Sequence, residues 1–227
     1  MSPLPIALVT GGSHGVGFDA ARALLADGHV VVLHARTAEQ SWDAAQRLVD
    51  GGADPTRVHP VDADFASLDS VTLLARQVAA EHPVLDLLVN AATIVGSDRC
   101  VITEDGNDLA LQVNYLAPVL LTRGLEGPMG RASAPRVINL SSEPHRGGSP
   151  SSKDFTRSEL ALTMLTNALA KASTAVNVDP GGADPKLLHL DETRAKAVLP
   201  SPRVSDQPVV WPRLTLTDSG LQPEDGV

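Results

Sequence analysis

The chain has 227 residues, ample for a buried core, and 43% of them are hydrophobic, which excludes disorder by composition. A formal net charge of −9 and a pI near 5.1 argue against a nucleic-acid-binding or anionic-membrane surface, while leaving room for a local basic pocket. The single cysteine, Cys100, excludes an internal disulfide and a cysteine-based metal centre, and no metal site is expected. No apolar run reaches the ~18 residues of a membrane span. MSPLPIALVTGG runs straight into a strand without a basic, signal-like start, so a soluble cytoplasmic protein is expected.

In chain order the rhythm is strand, then helix. Ile6–Thr10 is a short continuous apolar run, as in a strand buried on both faces. A glycine-rich turn leads to an amphipathic helix over Val16–Asp27, closed by Gly28. His29–His34 is the second strand. Thr37 is placed to cap a helix to about Val49, stopped by Gly51 and Gly52. Val58–Val61 is the third strand, and Ser67 caps the periodic SLDSVTLLARQVAAEH helix. Leu85–Asn90 is the fourth strand. A long helix interrupted by Pro118 is expected over Asp105–Leu125, then a fifth strand over Arg136–Leu140. A helix over about 154–171 and a sixth strand, Ala175–Asp179, follow. Beyond Pro185 the signal fades, with a possible short helix at Asp191–Val198 and a strand at Leu214–Thr217. Alternating strands and helices predict an α/β fold: a Rossmann-like, doubly wound parallel sheet flanked by helices on both faces. One domain over 1–227 is expected, with a shortened substrate-side segment at about 186–213 and a loose tail from about 220.

The first turn, Thr10-Gly11-Gly12-Ser13-His14-Gly15-Val16-Gly17, carries the chemistry. A phosphate pair must approach backbone N–H groups at a helix N-terminus, where a Cβ would block the way or forbid a positive φ. A tight turn alone would also use glycines, but this one joins a buried strand to an amphipathic helix at the start of an alternating chain. Dinucleotide binding is the expectation. An NAD site usually ends the second strand with an acid for the ribose 2′-hydroxyl. Here His34-Ala35-Arg36 stands there, and a guanidinium suits a 2′-phosphate. With His14 inside the turn as a second contact, NADP(H) is favoured.

From about Leu4 to Pro185 the chain resembles the short-chain dehydrogenase/reductase family. The family's Thr-Gly-x-x-x-Gly-x-Gly turn is matched in full by Thr10–Gly17. Its acid after the third strand matches Asp64, followed by Phe65, and its Asn-Asn-Ala-Gly motif appears as Asn90-Ala91-Ala92-Thr93. Its helix asparagine matches Asn114, its active-site serine Ser142, and its Pro-Gly after the sixth strand Pro180-Gly181. TEDGNDLALQVNYLAPVLLT looks most like the retinol-dehydrogenase-like branch. The resemblance implies that Gly11, Ser13, His14, Gly15, Val16, Gly17, Arg36, Asp64, Phe65, Asn90, Ala91, Ala92, Pro180 and Gly181 hold the cofactor. It also implies a homodimer or homotetramer built on the helices at 105–125 and 154–171.

The departure lies where the family has a Tyr-x-x-x-Lys pair, about thirteen residues past the serine. That spacing lands on Phe155-Thr-Arg-Ser-Glu159. The one tyrosine of the chain, Tyr115, follows Asn114 in another helix, so no relocated pair exists, and Pro185 stands where the family often has a threonine. An anion beside a tyrosine would raise its pKa, so the two changes make sense together. Ser142, Asn114, His145 and Glu159 are therefore the candidate catalytic residues, with His145 or Glu159 as substitute proton donor. The expected activity is an atypical NADP(H)-dependent reduction of a carbonyl or enone on a small organic molecule. A non-redox dehydratase, isomerase or cyclase on the same scaffold, or a cofactor-binding pseudo-enzyme, is the alternative.

Overall fold

The computed structural model describes residues 3–94, 101–140, 174–178, 214–217 and 220–223. Its centre is the strand β1 (Ile6–Val9), with β2 (Val30–Ala35) and β3 (Val58–Asp62) on one side. On the other side lie β4 (Leu87–Asn90), β5 (Arg136–Leu140) and β6 (Thr174–Val178). The order is β3-β2-β1-β4-β5-β6 and every pair is parallel, as the Rossmann-like expectation requires. Ala7, for example, pairs with Val31 on one side and Leu87 on the other. Strand order reverses between β1 and β4. In open α/β sheets that reversal opens a crevice at the carboxyl ends of the strands.

Side chains alternate across the sheet, so each strand feeds two cores. Ala7, Val9, Val31, Leu33, Leu87 and Val89 pack with Ala20, Ala21 and Leu25 of α1 (Gly15–Ala26) and Ala44, Ala45 and Leu48 of α2 (Ala38–Asp50). Leu8, Val32 and Leu88 face the opposite way. They meet Val71, Leu74 and Val78 of α3 (Leu68–Glu81), and Leu121 from the helical stretch that follows β4. Alanine, valine and leucine make up most of both layers, as a chain with 3% aromatics demands.

Local signals set the boundaries. The Thr37 hydroxyl accepts from the Gln40 N–H at 3.3 Å, and the Ser67 hydroxyl accepts from the Ser70 N–H at 3.3 Å. Gly28, at φ +90°, closes α1 with its N–H on the Leu25 carbonyl at 3.1 Å.

The helix expected over Asp105–Leu125 differs in structure. Residues 105–108 form a turn around Gly106 (φ +81°), closed by a bridge between Ile102 and Asp108. The Asp105 carboxylate is committed elsewhere, accepting from the Leu68 N–H at 2.9 Å and Gln112 Nε2 at 2.8 Å. Asp108 is the cap, with its Oδ1 accepting from the Leu111 N–H at 2.9 Å, and helix begins as α4 (Leu109–Leu111). A π-helical turn, Gln112–Leu116, joins it to α5 (Ala117–Gly124) and then α6 (Glu126–Met129). Pro118 therefore does not break the helix. It has no N–H for the carbonyl four residues back, and the widened turn just before it relieves the ring's clash with that carbonyl.

A strand lies within the stretch expected as a tail from about 220. β8 (Gly220–Pro223) pairs antiparallel with β7 (Leu214–Thr217), because the alternating Leu-Thr-Leu-Thr run meets a second extended run directly after it. The sixth strand begins at Thr174, one residue before its expected start. The helices expected at about 154–171 and Asp191–Val198 lie outside the described residues. No helix among the described residues is long and apolar enough to cross a membrane.

Candidate functional site

The crevice opens where the glycine turn leaves β1. Thr10 is fully buried and fixes the turn's root. Its backbone N–H donates to the Val89 carbonyl at 2.9 Å, and its hydroxyl accepts from the N–H groups of Ala91 and Ala92 at 3.0 and 3.1 Å. One side chain thus ties the end of β1 to the loop leaving β4. Gly11 has φ +66°, and a Cβ there would lie 2.6 Å from Ala92 Cα. A Cβ on Gly17 would lie 2.4 Å from the Gly11 carbonyl oxygen, so the start of α1 folds back onto the turn. Gly15 has φ +58° with open space beside it.

Among the described residues no side chain caps the start of α1. Its first N–H groups have no partner inside the helix and carry the positive end of its dipole, which suits an anion.

His34 holds the turn from the second strand. Its Nδ1 accepts from the Gly11 N–H at 3.3 Å, its Nε2 donates to the Ala63 carbonyl at 3.0 Å, and its own carbonyl accepts from the Gly12 N–H at 2.8 Å. The ring stacks on Phe65 with centroids 4.5 Å apart. Burial lowers its pKa to about 4, so the imidazole is neutral at pH 7. From the outside, Arg47 of α2 donates to the Ser13 carbonyl at 2.9 Å and lies 4.2 Å from the centroid of the Phe18 ring. The sequence carried no sign of either contact, because the partners of His34 are 23 and 29 residues away and those of Arg47 are 34 and 29.

A cleft of about 860 Å³ results. Among the residues singled out in the sequence, its lining brings together Gly11, Ser13, His14, Gly15, Val16, Gly17, Arg36, Asp64, Phe65, Ala91 and Ala92. Thr93, the last residue of the Asn90–Thr93 motif, lines it as well, and so do Gln40, Ile94, Leu109 and Val113, which were not singled out. Arg36 is exposed at the rim and makes no ion pair among the described residues. Asp64 is exposed, with one carboxylate oxygen accepting from the Ala66 N–H at 2.9 Å. Phe65 is 3% exposed and forms the floor under His34.

Two expected site residues are buried and are not in the cleft's lining. Asn90 is 3% exposed and does not line the cleft. As the last residue of β4 it points inward and donates from Nδ2 to Asn139 Oδ1 of β5 at 2.8 Å, and its own buried Oδ1 has no partner among the described residues. Asn114 is 2% exposed in the π-helical turn. Its Oδ1 accepts from the Ile94 N–H at 2.9 Å and the Thr93 hydroxyl at 3.2 Å, and its Nδ2 donates to the Ile94 carbonyl at 2.9 Å. It holds the cleft wall after β4. Tyr115 is buried in the core beneath, and burial raises its hydroxyl pKa. Ser142, His145, Phe155, Glu159, Pro180, Gly181 and Pro185 lie outside the described residues.

Comparison with known proteins agrees with this architecture. The chain is 28% identical to a metagenomic short-chain oxidoreductase solved in complex with NADP, with a TM-score of 0.69 over 81% of this chain and 86% of that one. It is 36% identical over 141 residues to a WW domain-containing oxidoreductase from Gallus gallus, covering 62% of this chain and 34% of that protein. It is 35% identical over 179 residues to retinol dehydrogenase 13 from Mus musculus, covering 72% of this chain and 52% of that protein. The chain thus spans about a third to a half of the length of these two curated relatives. A family model described as short chain dehydrogenase matches residues 5–192, most of the chain, and the chain belongs to the short-chain dehydrogenase/reductase family.

Proposed function

We propose that this chain is an NADP(H)-dependent reductase of a carbonyl or enone on a small organic molecule, working with a proton donor other than tyrosine. The observation that carries the reading is the cleft itself. An uncapped helix start and the open side of Gly15 face a cavity with Arg36 exposed at its rim. The donor set fits a dinucleotide diphosphate at the turn and a 2′-phosphate at Arg36. The NADP complex of the metagenomic relative supports the same cofactor here.

Bound there, the nicotinamide would supply a hydride. The chain's own part is orientation and a proton. The Asn114 clasp keeps Thr93 and Ile94 in place on the cleft wall. Ser142 is assigned to the substrate oxygen, and His145 or Glu159 to its proton. Tyr115 is no donor, since its side chain is packed in the core and burial raises its pKa. Phe155 and Glu159 in place of the family pair favour, as a second reading, a non-redox enzyme or a cofactor-binding pseudo-enzyme on the same scaffold.

The test is a fluorescence titration with NADPH and NADH, for the wild type and for Arg36→Ala. The expected result is NADPH bound more tightly than NADH, with the preference lost in the variant. A guanidinium–phosphate contact of ~1.5–3 kcal/mol corresponds to roughly ten- to a hundredfold. No binding of either nucleotide by the wild type overturns the reductase reading.

A further inference from the structure

The backbone N–H groups of the glycine turn are divided between protein and cleft. Gly11 and Gly12 donate to one residue, the former to His34 Nδ1 at 3.3 Å and the latter to the His34 carbonyl at 2.8 Å. The first N–H groups of α1, at Gly15, Val16 and Gly17, have no capping side chain, and all three residues line the cleft. A single residue of β2 therefore takes the N–H groups of Gly11 and Gly12, and so sets where the N–H groups that follow them point. The same ring reaches the carbonyl of Ala63, which lines the cleft beside Asp64, at 3.0 Å.

We infer that His34, as its neutral Nε2–H tautomer, is the positioning residue of the dinucleotide site: it sets the separation between the glycine turn and the end of β3, and cofactor affinity depends on it. This rests on the reading under Proposed function. The tautomer follows from its partners. A carbonyl oxygen only accepts, so Nε2 carries the hydrogen toward Ala63, and Nδ1 must be bare to accept from Gly11. The ring is 2% exposed and stacked on Phe65, so water cannot replace either bond. A cationic ring would lose the acceptor, and burial opposes that charge.

Two variants separate the contacts. His34→Leu fills the space and removes both bonds. His34→Asn keeps an acceptor near the Nδ1 position for Gly11 and loses the reach to Ala63. Binding of NADPH and of adenosine 2′,5′-bisphosphate is measured at a temperature where circular dichroism shows each protein folded. With both ties gone the turn is free to shift away from the end of β3, so His34→Leu should weaken both ligands by about tenfold or more, and His34→Asn, which restores the Gly11 tie alone, should recover only part of that loss. In the wild type without ligand, ring-nitrogen NMR should show protonated Nε2 and bare Nδ1, which keeps the inference testable if His34→Leu does not fold. An Nδ1–H or cationic ring at pH 7 overturns it. So does wild-type-like binding by His34→Leu while the wild type binds NADPH. A wild type that binds neither ligand overturns the proposed function, and this inference with it.

Discussion

At the scale of single residues, the site is held by side chains bonded to its own backbone. Thr10 spends its one hydroxyl on two amides of the loop after β4. His34 does the same work between three strand ends, and its burial links it to acid stability. Its folded pKa of about 4 lies below the unfolded value of 6.5. Above pH 6.5 neither state binds the proton and the full stability is present. As pH falls from 6.5 toward 4, the unfolded chain gains a proton that the native one refuses, so stability is lost across that window. A shift of this size is worth on the order of 3 kcal/mol. Urea unfolding between pH 7.5 and 4.5 should therefore show stability falling with acid, more steeply in the wild type than in His34→Leu. His82, also shifted down by burial, contributes in the same direction, so the variant's slope is reduced and not abolished. Equal slopes would refute the buried neutral ring.

Elements show which parts of the architecture were legible in the sequence. Thr37, Ser67 and Gly28 end their helices as read, because a cap and its partner lie within a turn of one another. The stretch from Asp105 misled, because Asp and Asn near an apolar periodic run serve equally as helix starts and as turns. What decides is the Asp105 carboxylate, taken by Leu68 and Gln112, one of them 37 residues away. Asn90 was expected at the cofactor by motif, and its contact with Asn139 follows from the pairing of β4 with β5, which no local signal shows. Another long-range fit sits where α3 meets α5. A Cβ on Gly124 would stand 2.6 Å from the Ala75 Cβ, with no flexible side-chain end to give way. Gly124→Ala should cost about 1–3 kcal/mol by forcing the two helices apart, despite alanine's better helix propensity. Thermal melting would show it as a lowered Tm, and an unchanged or raised Tm would mean the helices part without strain.

Over the whole molecule, two cores face a single sheet, and the crevice sits at the strand reversal where both end. The glycine turn is tied by the protein's own contacts: to β4 through Thr10, to β2 through His34 and to α2 through Arg47. A loop already in shape has no ordering step to wait for. Nucleotide capture should then behave as a simple collision. In stopped-flow mixing with NADPH, the fluorescence rise should follow one exponential, with a rate that climbs linearly with nucleotide and reaches no plateau. In Gly11→Ala, whose Cβ would collide with Ala92 and whose φ of +66° suits glycine alone, the turn must first rearrange. There the same trace should level off at high nucleotide, at the speed of the backbone's own motion.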